Sequence, residues 1–481
     1  MKTRVKSLIC GLLVTVIFIP LTSFKEVYAM EQTSDREQIT DVVNGVAMSA
    51  DHRDWATCRS HFIDEPYIDY SSLSGQPGGK VKTADLIKGW SAFLPKFKFT
   101  QHFISNHNVK IMGSTAICRS YVHAIHNLPY AEGGELWGVY GIYDHELIKL
   151  SSGWKVSKMT FHLLHQEGNK DIPALVAKIP NQQKVTFVSE GDKLTGILFA
   201  PANYKEGGKI PAIIVTGSWI TVKEQMAGTY AKKLAGEGFA TLVFDFRGYG
   251  ESGGEPRQYE SPQRKIQDIK NAVTFLQTLP MIDPNRIGGL GVCASSGYMA
   301  LAAAEDKRIK VFAAIAPWLH DADIVKLIYG GEKGVDEKIA AGKAARGKYE
   351  QTKVNDLVPA CSVTDNNAAM FGPFEYYLNP TRGAIPEWKN QFAVMSWPEW
   401  LQFDPIKEAV KISVPTLLVH SESAAIPDGA KRFYDKLVSP KDFYWMKGTQ
   451  FDFYDNPSTV NEASKKAAQW FKEYLMQERI K

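Results

Sequence analysis

The stretch Arg286–Ala303 reads RIGGLGVCASSGYMALAA, and it decides the fold of the half of the chain that contains it. It predicts a short apolar strand over Ile287–Gly291, a tight turn at residues 292–294 and a helix that begins at Ser295. Small residues on both sides of the turn, with a nucleophilic residue at its tip, are typical of a nucleophile elbow. Here the tip is Cys293.

A turn of this kind favours chemistry at the tip side chain. The helix dipole and the amides of the first helical turn favour a thiolate, so they lower a free cysteine pKa from its usual ~8.5. The amide of Ala294 would point to where an oxyanion forms, and a second amide would have to come from an earlier loop. The alternative is that the turn serves packing alone and that Cys293 is a buried structural thiol.

Residues 1–29 have the pattern of a secretory signal. Three basic residues precede the apolar run Leu8–Leu21, and the segment ends at Ala29. The run is too short to span a membrane as a helix, so we expect cleavage after Ala29 and no stable membrane insertion afterwards. The protein is therefore expected to be secreted or periplasmic, and an uncleaved anchor is the alternative.

Charge and cysteine content narrow the range of partners. Removal of residues 1–29 takes away four basic residues and one acidic residue, which lowers the formal net charge from +4 to about +1. A nearly neutral chain without a basic run argues against nucleic acid as a partner. The remaining cysteines, at positions 58, 118, 293 and 361, lack the spacing of a metal site and are too few for a disulfide scaffold, although they allow one bridge. No metal or nucleotide motif is found, so no cofactor is expected.

Residues 32–166 predict a domain in which helices precede strands. Ser34–Glu37 is a capping box that begins a helix, a second helix is expected around Trp55–Phe62, and Thr83 caps a third. The predicted strands are Val109–Met112, Ala116–Ile125, Leu136–Leu150 and Trp154–His162. Helices followed by a curved antiparallel sheet form an α+β cone with a pocket inside.

This order of elements, together with YIDYSSLSGQPGG, QHFISNH and the hairpin around SSGWKV, resembles the SnoaL-like, nuclear-transport-factor-like superfamily, which includes polyketide cyclases and small dehydratases. Enzymes of that superfamily often pair a histidine with an acid and a tyrosine inside the cone. The resemblance implies that the matching positions are Asp69, Tyr70, His102 and His123. His102 would act as a base with Asp69 orienting its ring. It equally implies a domain that only binds a ligand or forms a homo-oligomer, with His102 as a core residue.

Residues 184–481 alternate strands and helices after a linker over residues 167–183. A hairpin comes first, and it is followed by the strand AIIVTGSW, a helix over Glu224–Gly236, the strand and loop FATLVFDFRGYGESGG and a helix over Gln263–Leu279. After the elbow, VFAAIAPW, VPTLLVHSES and DFYWMKGT supply later strands. Alternating strands and helices require a doubly wound, mostly parallel sheet.

With the elbow in its expected place, this half resembles the α/β-hydrolase superfamily. The loop DFRGYGESGG matches the superfamily pattern Asp-x-Arg-Gly-x-Gly-x-Ser, and GVCA matches the Cys-centred elbow of its dienelactone-hydrolase-like branch. The resemblance implies that Cys293 is the nucleophile. It also implies that Gly217 and Ser218 lie where an earlier loop lends the second oxyanion amide, beside that of Ala294.

The rest of the expected catalytic triad is incomplete. The superfamily places an acid after the seventh strand, where this chain has Ala424 with only Glu422 nearby, and a histidine in the last loop, where it has Gln450. Glutamine cannot take up a proton, although Gln450 can still donate or accept a hydrogen bond. Three hypotheses remain: a base from His320 or His420, a thiolate that acts without a dedicated base, or a domain that has lost turnover and binds a ligand.

Between residues 318 and 405 the alternation stops, and we expect a helical cap. This insertion contains a dense aromatic set: Phe371, Phe374, Tyr376, Tyr377, Trp388, Trp397 and Trp400. Aromatic rings above an elbow suggest a lid over an apolar acyl or aromatic pocket, although a cap also needs such rings for its own core.

These patterns predict an exported hydrolase that acts on a small apolar ester, lactone or thioester through Cys293. One alternative is a non-catalytic exported binder of small hydrophobic ligands, which the incomplete triad would explain. The other is a SnoaL-type dehydratase or cyclase in which the hydrolase half is accessory.

Overall fold

The N-terminal domain starts with helices that pack on one mixed sheet. The structure, a computed structural model, describes residues 34–205 and 207–476, so the predicted signal segment lies outside the described residues. The helices are α1 (Asp35–Asp51), α2 (Trp55–Ser60), α3 (Ser71–Ser74) and α4 (Thr83–Phe93). The strands are β1 (Phe62–Asp69), β2 (Gly79–Lys80), β3 (Phe99–Met112), β4 (Thr115–Asn127), β5 (Leu136–Leu150) and β6 (Gly153–Gly168).

The predicted capping box begins α1. The Ser34 hydroxyl accepts from the Glu37 amide, and the Glu37 carboxylate accepts from the Ser34 amide at 2.7 Å. Ile39, Val43 and Val46 then recur at helical spacing and are buried against the sheet. The capping box and the inward face of this helix are therefore confirmed.

The sheet runs in the order β2-β1-β6-β5-β4-β3, with β1 parallel to β6 and the other pairs antiparallel. Strand β5 has the predicted bounds, whereas β3 begins ten residues earlier than expected, at Phe99. The early half of β3 leaves Phe99 and Phe103 about half exposed, at 44% and 49%. Its apolar residues therefore occur on both faces, which hides the alternation that marks a strand.

The segment predicted as a linker is largely ordered against the N-terminal domain. Helix α5 (Ile172–Ala177) buries Ile172 and Val176 completely in the core of that domain. From Asn181 the chain already belongs to the first strand of the second sheet. Burial of these apolar side chains leaves only a few residues between the two domains.

The C-terminal domain has an eight-stranded sheet. Its first strands are β7 (Asn181–Ser189), β8 (Asp192–Ala200), β9 (Ile210–Thr216), β10 (Ala240–Phe244), β11 (Ile282–Val292) and β12 (Ile309–Ile315). Four two-residue strands belong to the insertion: β13 (Leu357–Val358), β14 (Cys361–Ser362), β15 (Met370–Phe371) and β16 (Phe392–Ala393). The last strands are β17 (Thr416–His420) and β18 (Lys441–Trp445).

The order in this sheet is β18-β17-β12-β11-β9-β10-β8-β7. The pairs from β18 to β10 are parallel, and β10, β8 and β7 pair antiparallel. The predicted mostly parallel sheet is therefore confirmed. Since the carboxyl ends of parallel strands meet at one edge, the loops after β9, β11, β12, β17 and β18 converge there.

Helices cover both faces of this sheet or belong to the insertion. They are α6 (Met226–Gly236), α7 (Pro262–Thr278), α8 (Ser295–Glu305), α9 (Ala322–Ile328), α10 (Gly331–Thr352), α11 (Glu375–Leu378), α12 (Trp397–Gln402), α13 (Pro405–Glu408), α14 (Pro427–Lys436), α15 (Asp452–Asp455) and α16 (Pro457–Leu475). In the part of the chain that the structure describes, none of the helices has the length and apolar character needed to cross a membrane.

Between residues 318 and 405 lie four helices and the four short strands. Of the seven aromatic residues predicted to lie in this insertion, five have at least nine-tenths of their surface buried, namely Tyr376, Tyr377, Trp388, Trp397 and Trp400. Phe371 is half exposed, at 52%. Most of these rings therefore pack inside the protein, as a segment of this length requires for a core of its own.

Candidate active site

The turn at Cys293 lies at the carboxyl end of β11, near the middle of the sheet. Cys293 has φ +56°, in the left-handed region that residues with a side chain seldom occupy. Its amide donates to the Ile315 carbonyl at 3.0 Å, and its carbonyl accepts from the amides of Ser296 and Trp318, each at 3.0 Å. These bonds hold the strained turn, which directs the thiol toward the loops at this edge.

Glycines before the tip let helix α8 start close to the strand. A Cβ on Gly291 would lie 2.5 Å from the Ser295 carbonyl oxygen, and one on Gly289 would lie 2.2 Å from Met299 Sδ. The Cβ on Gly291 would meet the backbone of α8 and push the helix away from β11, whereas the one on Gly289 would displace the Met299 side chain. The glycines of RIGGLGVCASSG are thus the local reason for the sharp turn.

Hydrogen-bond donors surround the Cys293 thiol, which is only 5% exposed. Burial raises the pKa of the thiol above its ordinary value, and polar contacts from the Ser218 and Tyr454 hydroxyls and the Ala294 and Trp219 amides act in the opposite direction. Donors that stabilise a sulfur anion also lie where an oxyanion would form next to it. The arrangement suits nucleophilic attack by sulfur on a carbonyl carbon.

The second amide beside the thiol is that of Trp219, and neither Gly217 nor Ser218 supplies it. The Ser218 amide donates to Met226 Sδ at 3.4 Å, while the amide next to the thiol is that of Trp219. A Cβ on Gly217 would lie 2.7 Å from Thr221 Oγ1, so glycine is needed there for a tight turn. Which amide of a loop faces a site depends on backbone dihedrals that the sequence motif does not specify.

Three hydroxyl groups form a chain beside the thiol. Tyr377 Oη donates to Ser218 Oγ at 2.9 Å, and Ser218 Oγ lies 3.0 Å from Tyr454 Oη. Burial holds the pKa of Tyr454 well above its ordinary value, and the nearby Cys293 adds to this effect. Tyr454 is therefore a neutral hydroxyl that can donate to the sulfur or pass a proton along the chain.

Gln450 holds Tyr454 in place. Gln450 Nε2 donates to Tyr454 Oη at 3.2 Å and to the Ala316 carbonyl at 3.0 Å, and Oε1 accepts from the Ala425 amide at 2.9 Å. Because the oxygen of Tyr454 accepts from Gln450, its proton is left to point toward Ser218 or Cys293. Gln450 thus acts on the thiol site through the position of the Tyr454 hydroxyl.

His320 is buried with both ring nitrogens engaged. Trp318 Nε1 donates to His320 Nδ1 at 2.9 Å, and His320 Nε2 lies 3.2 Å from the Trp400 carbonyl, to which it donates. Burial lowers the pKa of the ring to about 4. No hydrogen bond joins His320 to Cys293 in the described chain, so the structure gives it a packing role and no free nitrogen for the thiol.

Neither His420 nor Glu422 completes a triad. His420, at the end of β17, is fully buried beside the Trp445 ring, and burial lowers its pKa to about 4. Glu422 lies at the surface, 61% exposed, and pairs with Lys431 at 2.8 Å. Within residues 34–205 and 207–476 the thiol therefore has hydroxyl and amide neighbours in place of an imidazole and a carboxylate.

A buried carboxylate supports the loop that carries the Trp219 amide. Ile220, the next residue, has φ +51°, a strained conformation for a β-branched side chain. Its amide donates to Glu260 Oε2 at 3.1 Å, and its carbonyl accepts from Trp388 Nε1 at 2.7 Å. Glu260 is fully buried and pairs with Lys265 at 2.7 Å. Nothing in the sequence indicated this role for Glu260.

The Trp219 ring is packed by the insertion. It lies 5.0 Å from the rings of Phe392 and Trp400 and 6.1 Å from that of Trp397. Trp400 Nε1 donates to Tyr329 Oη at 2.8 Å. One side of the Cys293 site is thus aromatic, with rings from the segment 318–405 packed around Trp219.

A second site lies in the N-terminal domain, where a cavity of about 540 Å³ is enclosed by mostly apolar side chains. His102 faces it, with Nδ1 2.9 Å from Asp51 Oδ1, and the His102 amide donates to Asp51 Oδ2 at 2.7 Å. Tyr70 and Tyr143 also line it, with their hydroxyls 3.4 Å apart. The acid that orients His102 is therefore Asp51, and the prediction of Asp69 for this role was wrong.

The remaining residues predicted for this cavity do not line it. Asp69 accepts from the Ser71 amide at 2.8 Å, as the start of a turn. The His123 ring stacks on Tyr140 at 4.0 Å on the opposite face of the sheet. Successive residues of a strand point to opposite faces of the sheet. A shift of one position along the strand therefore decides whether a histidine side chain faces the cavity.

Comparison with known proteins agrees with this division into two domains. Residues 31–160 match the family described as SnoaL-like domain. Residues 190–449, more than half of the chain, match the family described as X-Pro dipeptidyl-peptidase (S15 family). The chain belongs to the S15 family. The prediction of an α/β-hydrolase-type domain behind a SnoaL-like domain, and of a hydrolase, is thereby confirmed.

Several relatives of this S15-family chain cover its C-terminal domain. The uncharacterized protein YcjY of Escherichia coli (strain K12) is 30% identical over 311 residues, which are 61% of this chain and 99% of that protein. Thiohydrolase aneE of Aspergillus aculeatus is 34% identical over 54% of this chain and 82% of that protein. The crystal structure of the hypothetical protein PA2218 from Pseudomonas aeruginosa has a TM-score of 0.55 and 27% identity, covering 62% of this chain and 94% of that one.

Proposed function

We propose that this S15-family protein is an exported thioesterase that cleaves an apolar acyl group from a thiol through a covalent Cys293 intermediate. The observation that carries the proposal is the thiol at a strained strand-helix turn with two amides and two hydroxyls beside it. The name of the fungal relative, thiohydrolase, favours a thioester among the ester, lactone and thioester substrates predicted from the sequence.

Each group around Cys293 has a separate role in the proposed reaction. The sulfur attacks the acyl carbon, and the amides of Ala294 and Trp219 hold the oxyanion. The thiol proton leaves through Ser218 or Tyr454 to the departing thiolate, since a thiol is the nucleophile that least needs a strong base. Water then hydrolyses the Cys293 thioester. The insertion acts as the cap of the aromatic acyl pocket beside Trp219.

Intact mass spectrometry during incubation with S-phenyl thiobutyrate tests this proposal. A transient butyryl adduct on Cys293 and release of thiophenol are expected from the unmodified protein and not from Cys293→Ala. Cys361→Ala is the matched control, because Cys361 is also a free buried thiol but lies in the insertion. If Cys293→Ala hydrolyses the thioester as fast as the unmodified protein, the covalent mechanism is refuted.

The N-terminal cavity supports a second candidate, a dehydratase or cyclase activity on a small apolar compound. Its basis is the pairing of His102 with Asp51 inside an apolar cavity, where an oriented imidazole can abstract an acidic proton. In that case His102→Ala abolishes turnover of the native substrate and Cys293→Ala does not. A domain that only binds the compound would retain binding and show no turnover in either form.

Export is supported by the sequence of residues 1–29 alone. N-terminal sequencing of the protein recovered from the medium or periplasm of an expressing bacterium is expected to start at Met30. Recovery of the protein with an intact N-terminus in the membrane fraction would show that residues 1–29 are an uncleaved membrane anchor and refute the predicted cleavage.

A further inference from the structure

A cavity of about 560 Å³ lies where the two domains meet. The N-terminal domain lines it with residues at the start of β3 and around the β4–β5 connection. The C-terminal domain lines it with loops from the carboxyl edge of its sheet and with part of the insertion. Lys98, Tyr130 and Glu135 line one side of it, and Glu224, Arg382 and Tyr454 line the other.

Two contacts across the boundary fix the walls of this interdomain cavity. Lys233 Nζ on α6 donates to the Tyr130 carbonyl at 2.5 Å, and Lys465 on α16 pairs with Glu132 at 2.8 Å. Burial lowers the pKa of Lys233 to about 8, while Glu132 and Glu135 act in the opposite direction. The partly buried Lys233 contact ties the β4–β5 connection of the N-terminal domain to α6, so both domains form the cavity.

Tyr454 connects this cavity to the thiol. Its ring lines the interdomain cavity and meets the Tyr376 ring edge-on at 5.0 Å, while its hydroxyl contacts Cys293 and Ser218. In acyl transfer the group that protonates the leaving atom lies next to that atom. Tyr454 is one of the two hydroxyls beside the thiol, and its ring also lines the cavity, so a leaving half that takes its proton from Tyr454 lies on the Tyr454 side of Cys293.

The two sides of Cys293 differ in chemical character. The insertion packs aromatic rings around Trp219 on one side. The interdomain cavity carries instead the Arg382–Asp455 ion pair at 2.6 Å and the Glu224 carboxyl, whose Oε2 is buried with no hydrogen-bond partner in the described chain. Burial raises the pKa of Glu224, while its other carboxyl oxygen, Oε1, pairs with Lys223 Nζ at 2.6 Å. Such a wall suits neutral polar groups rather than hydrocarbon.

We infer that the interdomain cavity binds the leaving half of the substrate, a thiol that carries amide or hydroxyl groups, and this inference rests on the proposed thioesterase function. In the transfer step a bond forms between Cys293 Sγ and the acyl carbon, and the bond from that carbon to the leaving sulfur breaks. The proton of the Cys293 thiol ends on the leaving thiol. The N-terminal domain thus takes part in substrate choice through Lys98, Tyr130 and Glu135.

Two exposed residues allow the cavity to be filled from opposite walls without touching the site. Lys98→Trp acts from the N-terminal domain and Thr381→Trp from the insertion. Lys110→Trp, an exposed position on β3 outside the cavity, is the matched control. Hydrolysis of S-butyryl pantetheine is compared with that of S-ethyl thiobutyrate, which has the same acyl group and no polar arm.

The ratio of kcat/KM for the pantetheine thioester to that for the ethyl thioester is expected to fall at least tenfold in Lys98→Trp and Thr381→Trp and to stay unchanged in Lys110→Trp. The change should appear in KM. Equal ratios in all four proteins would overturn the inference while leaving thioesterase activity intact.

Direct binding separates the two proposals. Calorimetric titration of Cys293→Ala with pantetheine is expected to show binding that Thr381→Trp removes and Lys110→Trp preserves. If this pattern is observed and no form of the protein hydrolyses thioesters, the interdomain cavity is a binding site for the polar thiol and the proposed thioesterase function is refuted. If pantetheine binds Cys293→Ala and its Thr381→Trp derivative equally, or does not bind, the cavity inference falls.

Discussion

The strain at Ile220 allows a test of how the Trp219 amide is held beside Cys293 for its proposed role as an oxyanion donor. The Ile220 amide donates to Glu260 Oε2 at 3.1 Å, and Tyr298 Oη donates to Oε1 of the same carboxylate at 2.7 Å. A left-handed β-branched residue costs on the order of 1–3 kcal/mol and persists only where its surroundings hold it. We expect that loss of the acceptor at Glu260 lets Ile220 relax and turns the Trp219 amide away from Cys293.

Removal of Glu260 alone would not isolate this effect. Lys265 is buried beside it, and an unpaired buried charge costs about 3–5 kcal/mol of folding stability. Glu260→Gln/Lys265→Met removes both charges and keeps an oxygen acceptor for Ile220. Glu260→Met/Lys265→Met removes the charges and the acceptor at nearly the same volume, so the two double variants differ in the oxygen that accepts from the Ile220 amide and from the hydroxyls of Tyr249 and Tyr298.

Loss of one oxyanion donor lowers kcat by about 10²–10³ in acyl-transfer enzymes. We therefore expect kcat for S-phenyl thiobutyrate to be about 100-fold lower in the Met/Met variant than in the Gln/Met variant, with KM within about threefold, since the amide acts on the transition state. Thermal unfolding of both variants checks that each is folded. Equal kcat values in two folded variants would refute the role assigned to Glu260.

Three further changes test other parts of the site. Tyr454→Phe removes the hydroxyl beside the thiol, so kcat for thioester hydrolysis should fall about 10–100-fold with little change in KM in steady-state assays; an unchanged kcat would exclude Tyr454 as the proton carrier. Gly291→Ala places a Cβ 2.5 Å from the Ser295 carbonyl oxygen, so urea unfolding should show a loss of at least ~1–3 kcal/mol, and wild-type stability would contradict the close approach of α8. Burial lowers the pKa of His420 from its ordinary 6.5 to about 4. Between these pH values His420 therefore binds a proton in the unfolded chain and not in the folded one. The contribution of His420 to the free energy of unfolding should therefore be fully present above pH 6.5. It should decrease as the pH drops toward 4, by up to about 1.4 kcal/mol per pH unit, and His420→Leu should make this decrease shallower.

Strand-helix alternation and local motifs were sufficient to predict the two domains and the position of the Cys293 turn. They did not predict β1 or the first half of β3, because those strands carry polar or exposed residues where the pattern expects apolar ones. The segment before β7 was predicted as a linker because prolines hide its short helix, although Ile172 and Val176 are buried.

What the sequence by itself determined is local. The glycines before Cys293 and the helix after it specify a strained turn through contacts within about ten residues, so the candidate nucleophile could be named from the chain alone. What only the tertiary structure decided is which groups surround that turn. Tyr454 meets Ser218 across 236 residues, and Asp51 meets His102 across 51, where no spacing rule applies. Such partners are selected by packing of the sheets and by backbone dihedrals of the loops, which are properties of the whole fold.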